Sequence, residues 1–394
     1  MAKRMTDNFH SGLKAGLLLL VALATSQAIA AERVKLLRDG KEIDLIGRLE
    51  IKAADGGLLL LAQDGVLWNI EPAEQVSHTS DAEDFAPYDR ERIGKELLAE
   101  LPEGFEVHAT AHYLICHNTS KAYAQWCGAL FERLYLAFNN YWKRNDFNLH
   151  EPEFPLVAIV FADQAQYVAH AEKEVGEAAK SIIGYYNLQT NRMTMYDLSG
   201  SASLRQPGDR RSNAAQINQL LSRPEAERTV ATIIHEATHQ IAYNCGFHTR
   251  LSDVPMWVNE GLASYFESPD LGRGKGWRTI GAVNHFRLDG FRDYLSRRGS
   301  RSLESLLVEG VLADHGRFRN PQQAADAYSE GWALNYYLFQ KHAKKYHAYL
   351  AGLSKKRPLV KDSDEERLLE FKQAFGPDLQ EFDQQFLRYM ERLE

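Results

Sequence analysis

Cysteine is scarce in this chain: Cys116, Cys127 and Cys245 are the three among 394 residues. Three thiols cannot build the disulfide scaffold of a small secreted domain or a four-cysteine zinc site. Membrane-length apolar stretches are lacking as well. The N-terminal apolar run covers residues 15–24, and ten residues are too few to span a bilayer unaided. A basic excess is also missing, since 46 Lys and Arg stand against 53 Asp and Glu for a formal net charge of -7. That balance argues against general binding to nucleic acid or to an anionic membrane. What remains, 44% hydrophobic and 25% charged residues, is an ordinary globular composition with room for two or three domains.

Lys3, Arg4 and Lys14 precede the apolar run and Ala28-Ile29-Ala30 follows it. Basic head, apolar centre and small-residue end are the three parts of a secretory signal peptide. Residues 1–30 are therefore expected to be removed, with the mature chain starting near Ala31 in a bacterial periplasm or outside the cell. No stable membrane insertion is expected afterwards. An oxidising compartment permits one disulfide, for which Cys116 and Cys127 are the closest pair in sequence. Cys245 reads as a small buried apolar residue.

The chemistry concentrates in residues 229–267. His235 and His239 stand four apart among Val230, Ile233, Ile234, Ala237 and Ile241, which recur at helical spacing, so both imidazoles project from one helix face. Glu236 sits about 100° further round, out of contact with a metal held by the two rings but within reach of a water beside it. Two histidines need a third ligand, and Glu260, on a short helix opened by Pro255, is the candidate. Asp253 is placed to cap that helix and Ser268-Pro269 to end it.

His235-Glu236-Ala237-Thr238-His239 followed by Trp257-Val258-Asn259-Glu260-Gly261-Leu262-Ala263-Ser264-Tyr265 resembles the gluzincin metallopeptidases. The second segment is especially similar to that of the aminopeptidase N family, and Tyr328-Ser329-Glu330-Gly331 resembles that family's Y-x-x-G segment. The resemblance implies an α+β, thermolysin-like catalytic domain, a mixed sheet plus the active-site helix and then an all-α half. It implies one Zn²⁺ per chain on His235, His239 and Glu260, Glu236 as general base and Tyr328 as oxyanion donor. It also implies that the last strand before the metal helix, with Met193 and Tyr196, lines the cleft and pairs with substrate backbone, while Asn259 either lines the cleft or is structural. Two departures matter. The G-x-M-E-N element that captures a free N-terminus in the aminopeptidase N family is missing, and Ser264 stands where some gluzincins place an Asp that orients a metal-bound histidine. The late Phe371-Lys372-Gln373-Ala374-Phe375-Gly376-Pro377-Asp378-Leu379 segment resembles a group of secreted bacterial proteins of unknown function carrying the same motif.

Along the chain, residues 31–80 alternate apolar runs with Asp-Gly turns at Asp39-Gly40, Asp55-Gly56 and Asp64-Gly65, which predicts a small N-terminal β module. Residues 81–103 read as linker and helix, 104–269 as the α+β half with the metal site, and 270–394 as the helical half. Strands are expected over 106–116, 155–161, 184–186 and 192–196, and helices over 120–145 and 163–175. Further helices are expected over 280–297, 302–312, 322–343 and 365–394, with a mobile loop over 198–212. His108 and His112 should share one face of a strand without a carboxylate in register, and Arg297, Arg298 and Arg301 should form a solvated cluster.

The reading that follows is an exported zinc peptidase cutting internally in peptide or protein substrates, with no nucleic-acid partner. An inactive zinc-containing protein that binds peptides or cell-wall material, and a zinc hydrolase of a non-peptide amide, remain open beside it.

Overall fold

The computed structural model describes residues 30–201, 203–206, 208–272, 277–308, 317 and 320–394. The expected leader falls outside them save for Ala30. Five strands come first: β1 (Ala30–Arg38), β2 (Lys41–Lys52), β3 (Leu58–Ala62), β4 (Leu67–Ile70) and β5 (Gln75–Asp84). Asp39, Gly40, Gly56 and Gly65 take positive φ at the turns, the conformation that Asp-Gly pairs adopt most readily. The strands form one antiparallel sheet in the order β4-β3-β2-β1-β5. Val34, Leu36, Leu58, Leu60 and Ile70 cluster within this sheet, while Leu59, Leu61 and Leu67 enter a core shared with the next one. The stretch expected as linker holds the end of β5 and helix α1 (Arg90–Glu100), whose Ile93 and Leu97 are buried in that shared core.

The second sheet is built from β6 (Glu106–Ala109), β7 (Tyr113–His117), α2 (Lys121–Arg144), β8 (Leu156–Phe161), α3 (Gln164–Val175), β9 (Gly184–Asn187) and β10 (Arg192–Tyr196). Its order is β6-β7-β8-β10-β9, with β8 parallel to both neighbours and the outer pairs antiparallel. Strand β8 is buried along its whole length. Leu156, Ala158 and Val160 face the main core, and Val157, Ile159 and Phe161 face the core shared with the first sheet, as the period of two requires.

Several expectations are corrected here. The strand predicted over 106–116 is a hairpin, because Thr110, Ala111 and His112 form the turn between β6 and β7. His112 lies 2.7 Å, through Nδ1, from Glu132 Oε2 on α2, a partner that strand register could not reveal. Cys116 faces the shared core and Cys127 the main one, so the sheet stands between them and no disulfide forms. All three cysteines are free and buried. The loop expected to be mobile begins with a 3-10 turn, Leu198–Gly200, whose Leu198 and Ser199 are buried.

The rest is helical: α4 (Ala214–Leu221), α5 (Pro224–Asn244), α6 (Met256–Phe266), α7 (His285–Leu295), α8 (Ser302–Val308), α9 (Pro321–Lys341), α10 (Ala343–Leu353), α11 (Asp364–Phe375) and α12 (Leu379–Met390). Helix α5 starts at Pro224, a residue suited to the first helical position, earlier than the apolar pattern indicates. Helix α10 was not expected, and the helix predicted over 365–394 breaks at Gly376, where φ is 128°. Residues 309–312 of another predicted helix lie outside the described residues. Asp253 does not cap α6, since its carboxylate accepts from Arg367 Nη2 at 2.7 Å and Asp362 N at 2.9 Å. Nor is Arg298 solvated, because it bridges Glu330 and Asp383 in the interior. Among the described residues no helix is long and apolar enough to cross a membrane.

The contact that fixes the site is between α6 and α9. A Cβ on Gly261 would come within 2.6 Å of Gly331 O and collide with the Asn335 amide, so the two backbones touch only because glycine is there. Asn335 Nδ2 donates to Trp257 O at 2.7 Å and Gly331 O at 2.8 Å, and the Tyr346 hydroxyl donates to its Oδ1. Gly261→Ala should therefore cost about 1–3 kcal/mol of stability, the usual range for overpacking. A lower urea midpoint at unchanged slope is the expected result, and a wild-type midpoint would show that the helices can part freely.

Candidate metal centre

Helix α5 carries Glu225 and Glu227 in its first turn, where they complement the helix dipole, and Gly246 follows its C-terminal end with φ 79°. Its buried face puts His235 and His239 side by side, with their Nε2 atoms 3.1 Å apart. Helix α6 brings Glu260 Oε2 to 3.0 Å from His235 Nε2 and 3.5 Å from His239 Nε2. All three residues are at most 9% exposed. Tetrahedral coordination at bond lengths near ~2.0–2.1 Å separates ligand atoms by roughly 3.3 Å, so the donor set and its spacing fit a divalent cation.

The hydrogen bonds around these three side chains leave little freedom. His235 Nδ1 lies 2.8 Å from Glu267 Oε2, which keeps the proton on that nitrogen and turns the Nε2 lone pair towards His239 and Glu260. Glu267 is held by Arg287 Nε at 2.9 Å, Arg287 Nη2 at 3.2 Å and Asn284 Nδ2 at 2.7 Å. Asn259 Nδ2 donates to Glu260 Oε1 at 3.2 Å, and the Tyr243 hydroxyl donates to Asn259 Oδ1 at 3.2 Å. Asn259 thus orients Glu260.

Electrostatics point the same way. Burial opposes charge on His235, yet Glu260 and Glu267 on its two nitrogens outweigh burial and raise its pKa to about 10, so a cation taking up the Nε2 lone pair would displace a proton from that nitrogen. Glu260 is pushed up by burial and more strongly down by the two histidines, so it stays ionised. Glu267 is likewise pushed up by burial, but Arg287 and His235 hold it at about 2. Three carboxylates, Glu236, Glu260 and Glu267, thus surround two imidazoles with one half-buried guanidinium among them. The excess negative charge favours a cation at the point where the lone pairs converge.

Glu236 is half-buried, and its Oε2 accepts from Tyr186 N at 2.9 Å. Burial pushes its pKa up, partly offset by His235 and His239. Tyr328 stands with its ring centroid 6.5 Å from that of His235 and 5.4 Å from the Arg287 guanidinium carbon. The Glu260 carboxylate and burial raise its pKa, so the phenol keeps its proton.

Met193 and Tyr196 are not brought to this cluster. Strand β10 lies between β8 and β9, both of its edges are paired, and Met193 is fully buried in the core. Tyr196 packs on Tyr167 at 5.4 Å. The strand at the sheet edge is β9, which pairs with β10 alone and carries Tyr186. Ser264 does not orient a histidine either, because its buried hydroxyl has no hydrogen-bond partner. That task falls to Glu267, and the signal was in the sequence: seven residues after Glu260 is two helical turns, the same face.

Removing the Glu267 carboxylate should loosen His235 without touching a ligand. If a divalent cation binds at this cluster, Glu267→Ala is expected to weaken that binding about 10–100-fold in a chelator competition, the usual effect of losing such a partner, while Ser264→Ala should leave it unchanged. Equal affinities in Glu267→Ala and the wild type would dismiss the orienting role.

No curated protein matches the chain. Every residue of the cluster on α5, α6, α7 and α9 lies within residues 229–360, and that stretch matches the family described as Protein of unknown function (DUF1570).

Proposed function

We propose that the chain is an exported zinc-dependent peptidase that hydrolyses peptide bonds within peptide or protein substrates. The observation that supports this best is the position of Glu236. Its carboxylate touches the backbone of the edge strand β9 at Tyr186 N and adjoins the cluster of His235, His239 and Glu260. An extended peptide adding to that edge would run past a base and a cation site together, the arrangement that amide hydrolysis needs. The N-terminal pattern of residues 1–30 supports export.

Zinc held by His235, His239 and Glu260 would supply Lewis acidity, lowering the pKa of water towards ~7. The chain's own groups do the rest. Glu236, its pKa raised by burial, accepts the proton of the attacking water and returns it to the leaving amine. Tyr328 donates to the oxyanion that develops on the scissile carbonyl, a contribution of roughly 2.7–4 kcal/mol for one well-placed donor. Arg287, hydrogen-bonded to Glu267 and beside the Tyr328 ring, holds the phenol and the His235 support in register. A purely structural zinc closes its fourth position with a protein ligand, whereas a cavity of about 520 Å³ opens on His235 and Glu236 here.

Cleavage of an unstructured protein should vanish in Glu236→Gln with about one zinc per chain retained, and undiminished turnover in that variant would exclude Glu236 as the base. Zinc should be lost from His235→Ala and from His239→Ala. Tyr328→Phe should keep its zinc and lower kcat roughly 10²–10³-fold; a wild-type kcat would reassign the tyrosine to the core.

A further inference from the structure

The cavity beside His235 and Glu236 has two facing walls. On one side Arg228, Ala231, Thr232 and His235 follow one another along a single face of α5. On the other are Asn284 and the first turn of α7. Phe286, in that turn, is 51% exposed, a large aromatic ring left open to the cavity. Guanidinium carbons flank it, Arg228 at 4.5 Å and Arg287 at 5.5 Å.

The two arginines are not equivalent. Arg287 is committed to Glu267 through two hydrogen bonds. Arg228 is exposed, and among the described residues no carboxylate forms an ion pair with it. Its guanidinium rests on the Phe286 face, a contact that orders the side chain and leaves its donors directed elsewhere. The N-terminal end of α7 adds partial positive charge to the same wall. The cavity's acidic groups do not cancel this. Glu267 is paired with Arg287, Glu236 is turned to Tyr186 N, and Glu227 is an exposed neighbour on α5. Arg228 stands two turns, roughly 10 Å, up the helix from His235. A side chain or chain end one residue from the cleaved bond spans that distance together with the arginine's own reach.

We propose that this cavity is a substrate subsite for a carboxylate, with Arg228 as its recognition group and Phe286 as the surface that holds Arg228 in place. It selects peptides that present an anionic group next to the scissile bond, either an Asp or Glu side chain or a free C-terminus. The assignment rests on the peptidase reading above, but its test does not need turnover.

The decisive measurement is the binding of fluorescent peptides to the zinc-loaded Glu236→Gln protein by anisotropy at low salt. One pair of peptides differs by Glu against Gln, and a second by a free against an amidated C-terminus. At least one charged peptide should bind roughly tenfold tighter than its neutral counterpart, as expected for a charge-assisted pair with arginine. Which pair shows the gain identifies the source of the carboxylate. Adding Arg228→Gln should bring that ratio close to one, and Arg228→Lys should restore part of it. Equal affinities within both pairs, or a ratio that survives Arg228→Gln, would overturn the subsite. A charge preference in binding, with no peptide cut by the wild-type protein, would instead overturn the peptidase reading and leave the subsite standing.

Discussion

Two helices whose backbones touch set the geometry of everything at the centre of this molecule. Gly261 and Gly331 bring α6 and α9 together, and Asn335 bonds across the seam to Trp257 O. Glu260 precedes Gly261 by one residue and Tyr328 precedes Gly331 by three. The Glu260 carboxylate and the Tyr328 phenol therefore inherit their separation from a contact that only glycine permits at position 261. Polar groups placed so exactingly need a scaffold of this stiffness, since an ångström of slack would scatter the lone pairs that converge on one point.

Charge is arranged in depth around that point. The outer guanidinium of Arg287 fixes Glu267, Glu267 fixes His235, and His235 with His239 and Glu260 leaves an electronegative hole. Each buried charge has a partner of opposite sign or a hydrogen-bond donor, as the cost of burying an unpaired ion demands. The electronegative centre where His235, His239 and Glu260 converge is the one that a cation would fill.

Much of this was legible in the sequence, for reasons that differ from residue to residue. His235, His239 and Glu260 could be brought together on paper because helical periodicity is local and the motif spacing is short. Asp-Gly turns announced the first sheet, and the unbroken apolar run of β8 announced burial on both faces. What stayed hidden depends on long-range placement. The register of β9 beside α5, the sheet that separates Cys116 from Cys127, the reach of Arg287 to Glu267 and the burial of Arg298 are all tertiary facts with no local signature. Met193 shows the limit most plainly, since neither periodicity nor spacing tells an inner strand from an edge.

The separated thiols have a further bearing on how such a chain matures. Burial lifts the Cys116 and Cys245 thiols to about 12 and pushes the Cys127 thiol well above its ordinary value, so in the folded protein almost none is thiolate and an oxidant finds little to react with. Before folding, all three are ordinary reactive thiols, and a bridge from Cys116 to Cys127 or to Cys245 would join residues that the finished sheet keeps on opposite sides. Burial of the thiols, and not covalent stapling, is then what keeps the folded polypeptide inert towards an oxidant.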